Sequence, residues 1–130
     1  MITIRQPTFE EFTCLVPLLH TWGGDDLTLH DWAVPKQMLI GINGDNKILG
    51  IVGWSEVRDG YWLHVHPFAV APEQRGRSLP FRLWKAMSRE VDGFTLVATI
   101  EKQNTRVLKM AKAYGFVPYA TNNNVIILSR

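Results

Sequence analysis

Val70-Ala71-Pro72-Glu73-Gln74-Arg75-Gly76-Arg77-Ser78-Leu79 joins the end of an apolar strand to the start of a helix, and the reading of the whole chain turns on it. Upstream, Tyr61 to Val70 is rich in aromatic and β-branched residues, which predicts a strand. Downstream, Leu79, Leu83, Met87 and Val91 recur at helical spacing, which predicts a helix ending before Gly93. The loop between them is polar, basic and glycine-containing. The first amides of a helix have no intrahelical acceptor and sit at the positive end of its dipole, so such a loop suits an anion. Arg75 and Arg77 add charge to it. An ordinary solvated cap has the same features, and the order of the surrounding elements decides between the two.

Working toward the N-terminus, Lys47 to Val57 reads as a long strand and Met38 to Ile42 as another. Asn43-Gly44-Asp45-Asn46 and Arg58-Asp59-Gly60 are tight turns, so these strands and the one ending at Val70 form an antiparallel meander. Thr8-Phe9-Glu10-Glu11 reads as a capping box. Phe9, Phe12, Val16 and Leu19 then predict an amphipathic helix over 8–20, kinked or shortened by Pro17. Ile2 to Gln6 is a first strand, and residues 28–34 have room for one short helix. Toward the C-terminus, Phe94 to Ile100 is a buried-looking strand, and residues 105–114 are helical with Gly115 as a left-handed cap. Phe116 to Tyr119 and Val125 to Leu128 flank Asn122-Asn123-Asn124 as final strands. The fold class is α/β (α+β), in the order βα(α)βββαβαββ: a mixed sheet with helices on both faces.

Composition narrows the function classes. The 130 residues are 46% hydrophobic and 20% charged, which supports one hydrophobic core and excludes disorder. No apolar run approaches the roughly 20 residues needed to cross a bilayer, and Met1 to Gln6 lacks the features of a signal peptide. Cys14 alone makes neither an internal disulfide nor a zinc site, which fits a reducing cytosol, and its place in the first predicted helix reads as packing. The formal net charge is +2 with dispersed basic residues, which argues against a nucleic-acid partner. These features describe a soluble cytosolic protein.

Taken with that order of elements, the stretch from Val70 to Leu79 resembles the acyl-CoA pyrophosphate loop of the GNAT superfamily of N-acetyltransferases, whose pattern is Arg/Gln-x-x-Gly-x-Gly/Ala after the fourth strand. Asn104, the helix after it and Gly115-Phe116 resemble the same family's second segment. The similarity covers about residues 47–118, and the element order extends it to the chain as a single acyl-CoA N-acyltransferase-like domain, 1–130. Ser78 and Pro80 stand where the family has two small residues; Pro80 deletes one N–H. The resemblance implies a mostly antiparallel sheet of six to seven strands with a splay between strands 4 and 5. It implies acetyl-CoA as co-substrate, with Arg75, Gly76, Arg77, Ser78 and Leu79 on the pyrophosphate. Phe68, Ala69, Val70 and Asn104 would lie along the pantetheine arm, and Asn104 also reads as a helix N-cap.

Trp62, His64 and His66 share parity and therefore one face of a regular strand. Imidazoles titrate near neutrality and can take a proton from an ammonium substrate; they can equally be satisfied polar groups on a sheet face. A metal site lacks a third evident ligand. His64-Val65-His66-Pro67-Phe68-Ala69-Val70 resembles the His-x-His-x-Leu-Ala-Val stretch of the arylalkylamine N-acetyltransferases, in which both histidines serve the general-base path. The family's general-acid tyrosine falls at Ala111; Tyr114, three residues on, is the nearest phenol and either takes that role or packs against its helix. Asp25, Asp26, Asp31, Trp22 and Trp32 are candidates for attracting and stacking an amine, or belong to an ordinary acidic loop with core tryptophans. The resemblance implies N-acetyl transfer to a primary amine, of a small molecule or a protein, in a ternary complex. The alternative is a non-catalytic interaction scaffold: short acetyltransferase-like phage proteins, some acting in virion assembly, resemble the chain in length and in the Asn104-Thr105 start of the last helix. A homodimer or a protein target stays open.

Overall fold

A computed structural model describes residues 1–22, 37–58, 62–122 and 124–130. The strands are β1 (Thr3–Arg5), β2 (Met38–Ile42), β3 (Ile48–Arg58), β4 (Trp62–Val70), β5 (Thr95–Glu101), β6 (Val117–Thr121) and β7 (Val125–Ser129). The helices are α1 (Phe9–Thr13), α2 (Leu15–Thr21), α3 (Leu79–Glu90) and α4 (Thr105–Ala113). One seven-stranded sheet runs β1-β2-β3-β4-β5-β7-β6. The β4–β5 pair is parallel, as the crossover through α3 requires, whereas β1–β2, β2–β3, β5–β7 and β6–β7 are antiparallel. This is the mixed sheet with flanking helices that the element order implied, and the mostly antiparallel one that the family resemblance implied.

Contacts cluster into two compact units, Met1–Ser55 with His66–Asp92, and Glu56–Val65 with Gly93–Arg130. In the first, α3 lies against β2 and β3: a Cβ at Gly41 on β2 would stand 2.8 Å from Leu79 Cδ1, and one at Gly50 on β3 2.8 Å from Leu83 Cδ1. Glycine here admits the helix to the backbone of the sheet. Leu79, Leu83 and Met87 are fully buried on α3, together with Leu15, Leu19, Ile40, Ile51 and Val52. The turn after β2 closes on Asn43, whose Oδ1 accepts from the amides of Asp45 at 2.9 Å and Lys47 at 3.0 Å, and Asn46 takes the positive φ of 61°. In the second unit, Leu63, Leu96, Ile100, Leu108, Phe116 and Leu128 are buried. Gly115, at φ 96°, ends α4 as expected.

Three expectations for the N-terminal helix are corrected. The single helix over 8–20 is two short helices broken at Cys14, because Pro17 has no N–H for the carbonyl of Thr13 and its ring crowds that turn. The apolar stripe through Phe9 and Val16 does not face the core: they are 73% and 36% exposed, while Leu15 and Leu19 are fully buried. Cys14 is an exposed thiol at the helix junction, not a packing residue. The capping box forms as read, with Glu11 Oε1 accepting from the Thr8 amide at 2.8 Å and Thr8 Oγ1 from the Glu11 amide at 3.2 Å. The short helix expected over 28–34 lies outside the described residues.

Candidate active site

In the first unit, β4 ends at Val70, Pro72–Gln74 makes one 3₁₀ turn, and α3 begins at Leu79. The loop is tied internally by the Arg75 amide to Pro72 O at 3.2 Å and the Arg77 amide to Gln74 O at 3.2 Å. Gly76 has a φ of 76° with nothing within 4 Å of a Cβ, so glycine serves the left-handed backbone and not the space. Ser78 occupies the N-cap position but makes no side-chain capping bond, since its backbone is αR where a capping side chain needs an extended one. Among the described residues, the amides of Gly76, Ser78 and Leu79 donate to no protein acceptor. Three orphan donors at the start of a 12-residue helix, with the Arg77 side chain exposed beside them, have the donor set and field that an oxyanion needs.

His66, Phe68 and Ala69 are half-buried on the adjoining part of β4, and Val70 is buried. A Cβ at Gly53 would stand 3.0 Å from His66 O and 3.0 Å from Pro67 Cδ, so β3 approaches the His66–Pro67 backbone closely enough that a side chain here would force its neighbours to give by a few tenths of an ångström. Glycines at 50 and 53 inside a predicted strand were the available signal for this approach. Two contacts had no local signal: Lys47 pairs with Glu73 at 3.5 Å, and Arg75 Nη2 donates to the Trp22 carbonyl at 2.6 Å. Trp22 is 6% exposed, a core residue and not a surface for stacking an amine. Asp25, Asp26, Asp31 and Trp32 lie outside the described residues.

In the second unit, His64 is half-buried and pairs with Val97 in the β4–β5 ladder. That ladder spans Trp62↔Thr95 to His64↔Val97, although β4 continues to Val70 and β5 to Glu101. Phe68, Ala69 and Val70 thus lie beyond its end. Trp62 meets Tyr119 edge to face, with ring centroids 6.0 Å apart. Asn104 is the N-cap of α4, its Oδ1 accepting from the Val107 amide at 3.4 Å, and Tyr114 is the C-cap. These two stand at opposite ends of a helix about 15 Å long, so they cannot act on one atom. Burial pushes the Tyr114 phenol above its ordinary range, and it holds its proton at neutral pH. Ala111 is buried on the same helix. Among the described residues, no group of three or more His, Cys, Asp or Glu suits a metal, and no helix is long and apolar enough to cross a membrane.

Residues 3–116 match the family model described as acetyltransferase (GNAT) family. The chain belongs to the GNAT family. Acetyl transfer from acetyl-CoA is the general chemistry of this family. Several solved structures share the fold at low sequence identity. PH1933 from Pyrococcus horikoshii aligns with a TM-score of 0.82 and 13% identity, covering 100% of this chain and 98% of that one. The ribosomal-protein-S18-alanine N-acetyltransferase from Escherichia coli gives 0.78 and 13%, covering 99% and 92%. Arabidopsis thaliana Naa50, in complex with the bisubstrate analogue CoA-Ac-MVNAL, gives 0.75 and 14%, covering 99% and 97%. No curated protein matches the sequence.

Proposed function

We propose that this GNAT protein transfers the acetyl group of acetyl-CoA directly to a primary amine in a ternary complex. The observation that carries the reading is the loop before α3, whose Gly76, Ser78 and Leu79 amides lack protein acceptors and whose Arg77 is exposed. Those amides and Arg77 hold the pyrophosphate, while Phe68, Ala69, Val70 and Asn104 line the pantetheine arm. His66, with His64 two residues away on the same strand face, takes the ammonium proton, as in the His-x-His stretch of the arylalkylamine enzymes. The neutral nitrogen attacks the thioester carbonyl, the C–N bond forms, the nitrogen gives its second proton to water, and the C–S bond breaks. The leaving thiolate takes its proton from Tyr114, a phenol that is protonated at neutral pH, or from water. Strand amides near Phe68 and Ala69 polarise the carbonyl.

Replacing His66 tests the base. His66→Ala is expected to lower turnover about 10²–10⁴-fold at saturating amine, with little change in acetyl-CoA affinity. Unchanged turnover would remove His66 from the mechanism. A second reading draws on Ala111, which is buried and has no acid to offer at the family's usual position: the fold serves as an interaction scaffold without turnover. Copurification with a macromolecular partner and no thiol release from acetyl-CoA with any amine would favour that reading.

A further inference from the structure

The two arginines of the loop differ in what already holds them. The Arg77 side chain has no partner among the described residues and is exposed at the start of α3. Arg75 is also an exposed residue, but its Nη2 donates to the carbonyl of the buried Trp22 at the end of α2 at 2.6 Å, across 53 residues of sequence. Trp22 is the C-cap of α2 and is buried, and the carbonyls at a helix C-terminus attract a cation. On the loop's other flank, Glu73 pairs at 3.5 Å with the exposed Lys47, whose amide donates to Asn43 Oδ1. The loop is thus braced on both sides by its own residues, and only one of its guanidinium groups is without an engagement.

We propose that Arg75 is a positioning residue that ties the anion loop to the end of α2, and that Arg77 alone supplies side-chain charge to the phosphates. The assignment rests on the acetyl-CoA reading above and divides the roles within it. A strut to a carbonyl needs an N–H donor and no charge, whereas a phosphate contact needs the charge and weakens as salt screens it. Charge and donor can therefore be separated by substitution.

Acetyl-CoA affinity is measured by calorimetry at low and at high salt, beside the melting temperature, for wild type, Arg75→Gln, Arg75→Met and Arg77→Gln. Arg77→Gln is expected to weaken binding roughly tenfold or more, to flatten its salt dependence, and to leave the melting temperature unchanged. Both Arg75 variants are expected to keep the wild-type salt dependence, and Arg75→Met is expected to melt a few degrees lower. Loss of salt dependence in Arg75→Gln equal to that in Arg77→Gln would overturn the proposal. Wild type that binds no acetyl-CoA would overturn the reading beneath it. The strut itself is refuted separately, if Arg75→Met melts at the wild-type temperature.

Discussion

Gly53→Ala concentrates the packing account in one atom. The added Cβ would lie 3.0 Å from His66 O, 3.0 Å from Pro67 Cδ and 3.3 Å from Met38 Cε. The methionine tip can rotate away, but a strand carbonyl cannot move without carrying the rest of β4. Overpacking of this kind costs about 1–3 kcal/mol, and the lower chain entropy of alanine returns about 0.4–1 kcal/mol. Because the contacted atom is a backbone carbonyl, the overpacking cost falls in the upper half of its range, about 2–3 kcal/mol, and the net loss is about 1–2.6 kcal/mol, a fall of roughly 4–10 °C in melting temperature for a domain of this size. Gly44→Ala is the control: nothing lies within 4 Å of its Cβ and its φ is outside the left-handed region. Thermal and urea unfolding of both variants read the difference. Gly44→Ala should melt at or slightly above wild type. Equal stability of Gly53→Ala and wild type would refute the close approach of β3 to the His66–Pro67 backbone.

Glu11 accepts from both guanidinium nitrogens of Arg5, at 2.7 and 2.9 Å, and from the Thr8 amide, so its pKa is lowered from 4.5 to about 2, chiefly by Arg5. A carboxylate with a depressed folded-state pKa stabilises the fold above its unfolded value and loses that contribution as pH falls from about 4.5 to about 2. Glu11→Gln should therefore cost about 1–2 kcal/mol at pH 7 after solvent screening and flatten the acid limb between those values; an unchanged limb in urea melts at pH 3 and 7 would contradict it. Cys14, exposed between α1 and α2, should react with a maleimide in the native protein as fast as in urea, and protection in the native state would restore a packing role. Tyr114→Phe should lower kcat without changing the acetyl-CoA dissociation constant; equal kcat would leave proton delivery to water.

How much of this was legible in the sequence depended on the range of the interaction. Strands β2 to β5 and helices α3 and α4 fall within a residue or two of their predicted limits, because alternation, helical spacing and glycine stops are local signals. The first helix departs from its expected form because two apolar stripes compete there. Phe9, Phe12, Val16 and Leu19 form one, and Leu15, Leu19 and Trp22 the other; only tertiary packing buries the second. Pro17 then turns one predicted helix into two. The loop before α3 was found from its residue types, but its bracing was not. No spacing rule links Arg75 to a carbonyl 53 residues away, nor Lys47 to Glu73. Asn104 meets its capping expectation with a 3.4 Å bond, while the end of the β4–β5 pairing at His64 is a matter of how two distant strands meet, which no local spacing encodes.

The central claim is that the orphan amides before α3 receive acetyl-CoA, and ligand-dependent thermal stability tests it most directly, with ATP as the phosphate control. At a hundred times its dissociation constant, a ligand adds about 2.7 kcal/mol, a shift of several degrees for this size. The account predicts that shift with acetyl-CoA and none with ATP. No shift at millimolar acetyl-CoA, or an equal shift with both, would contradict it.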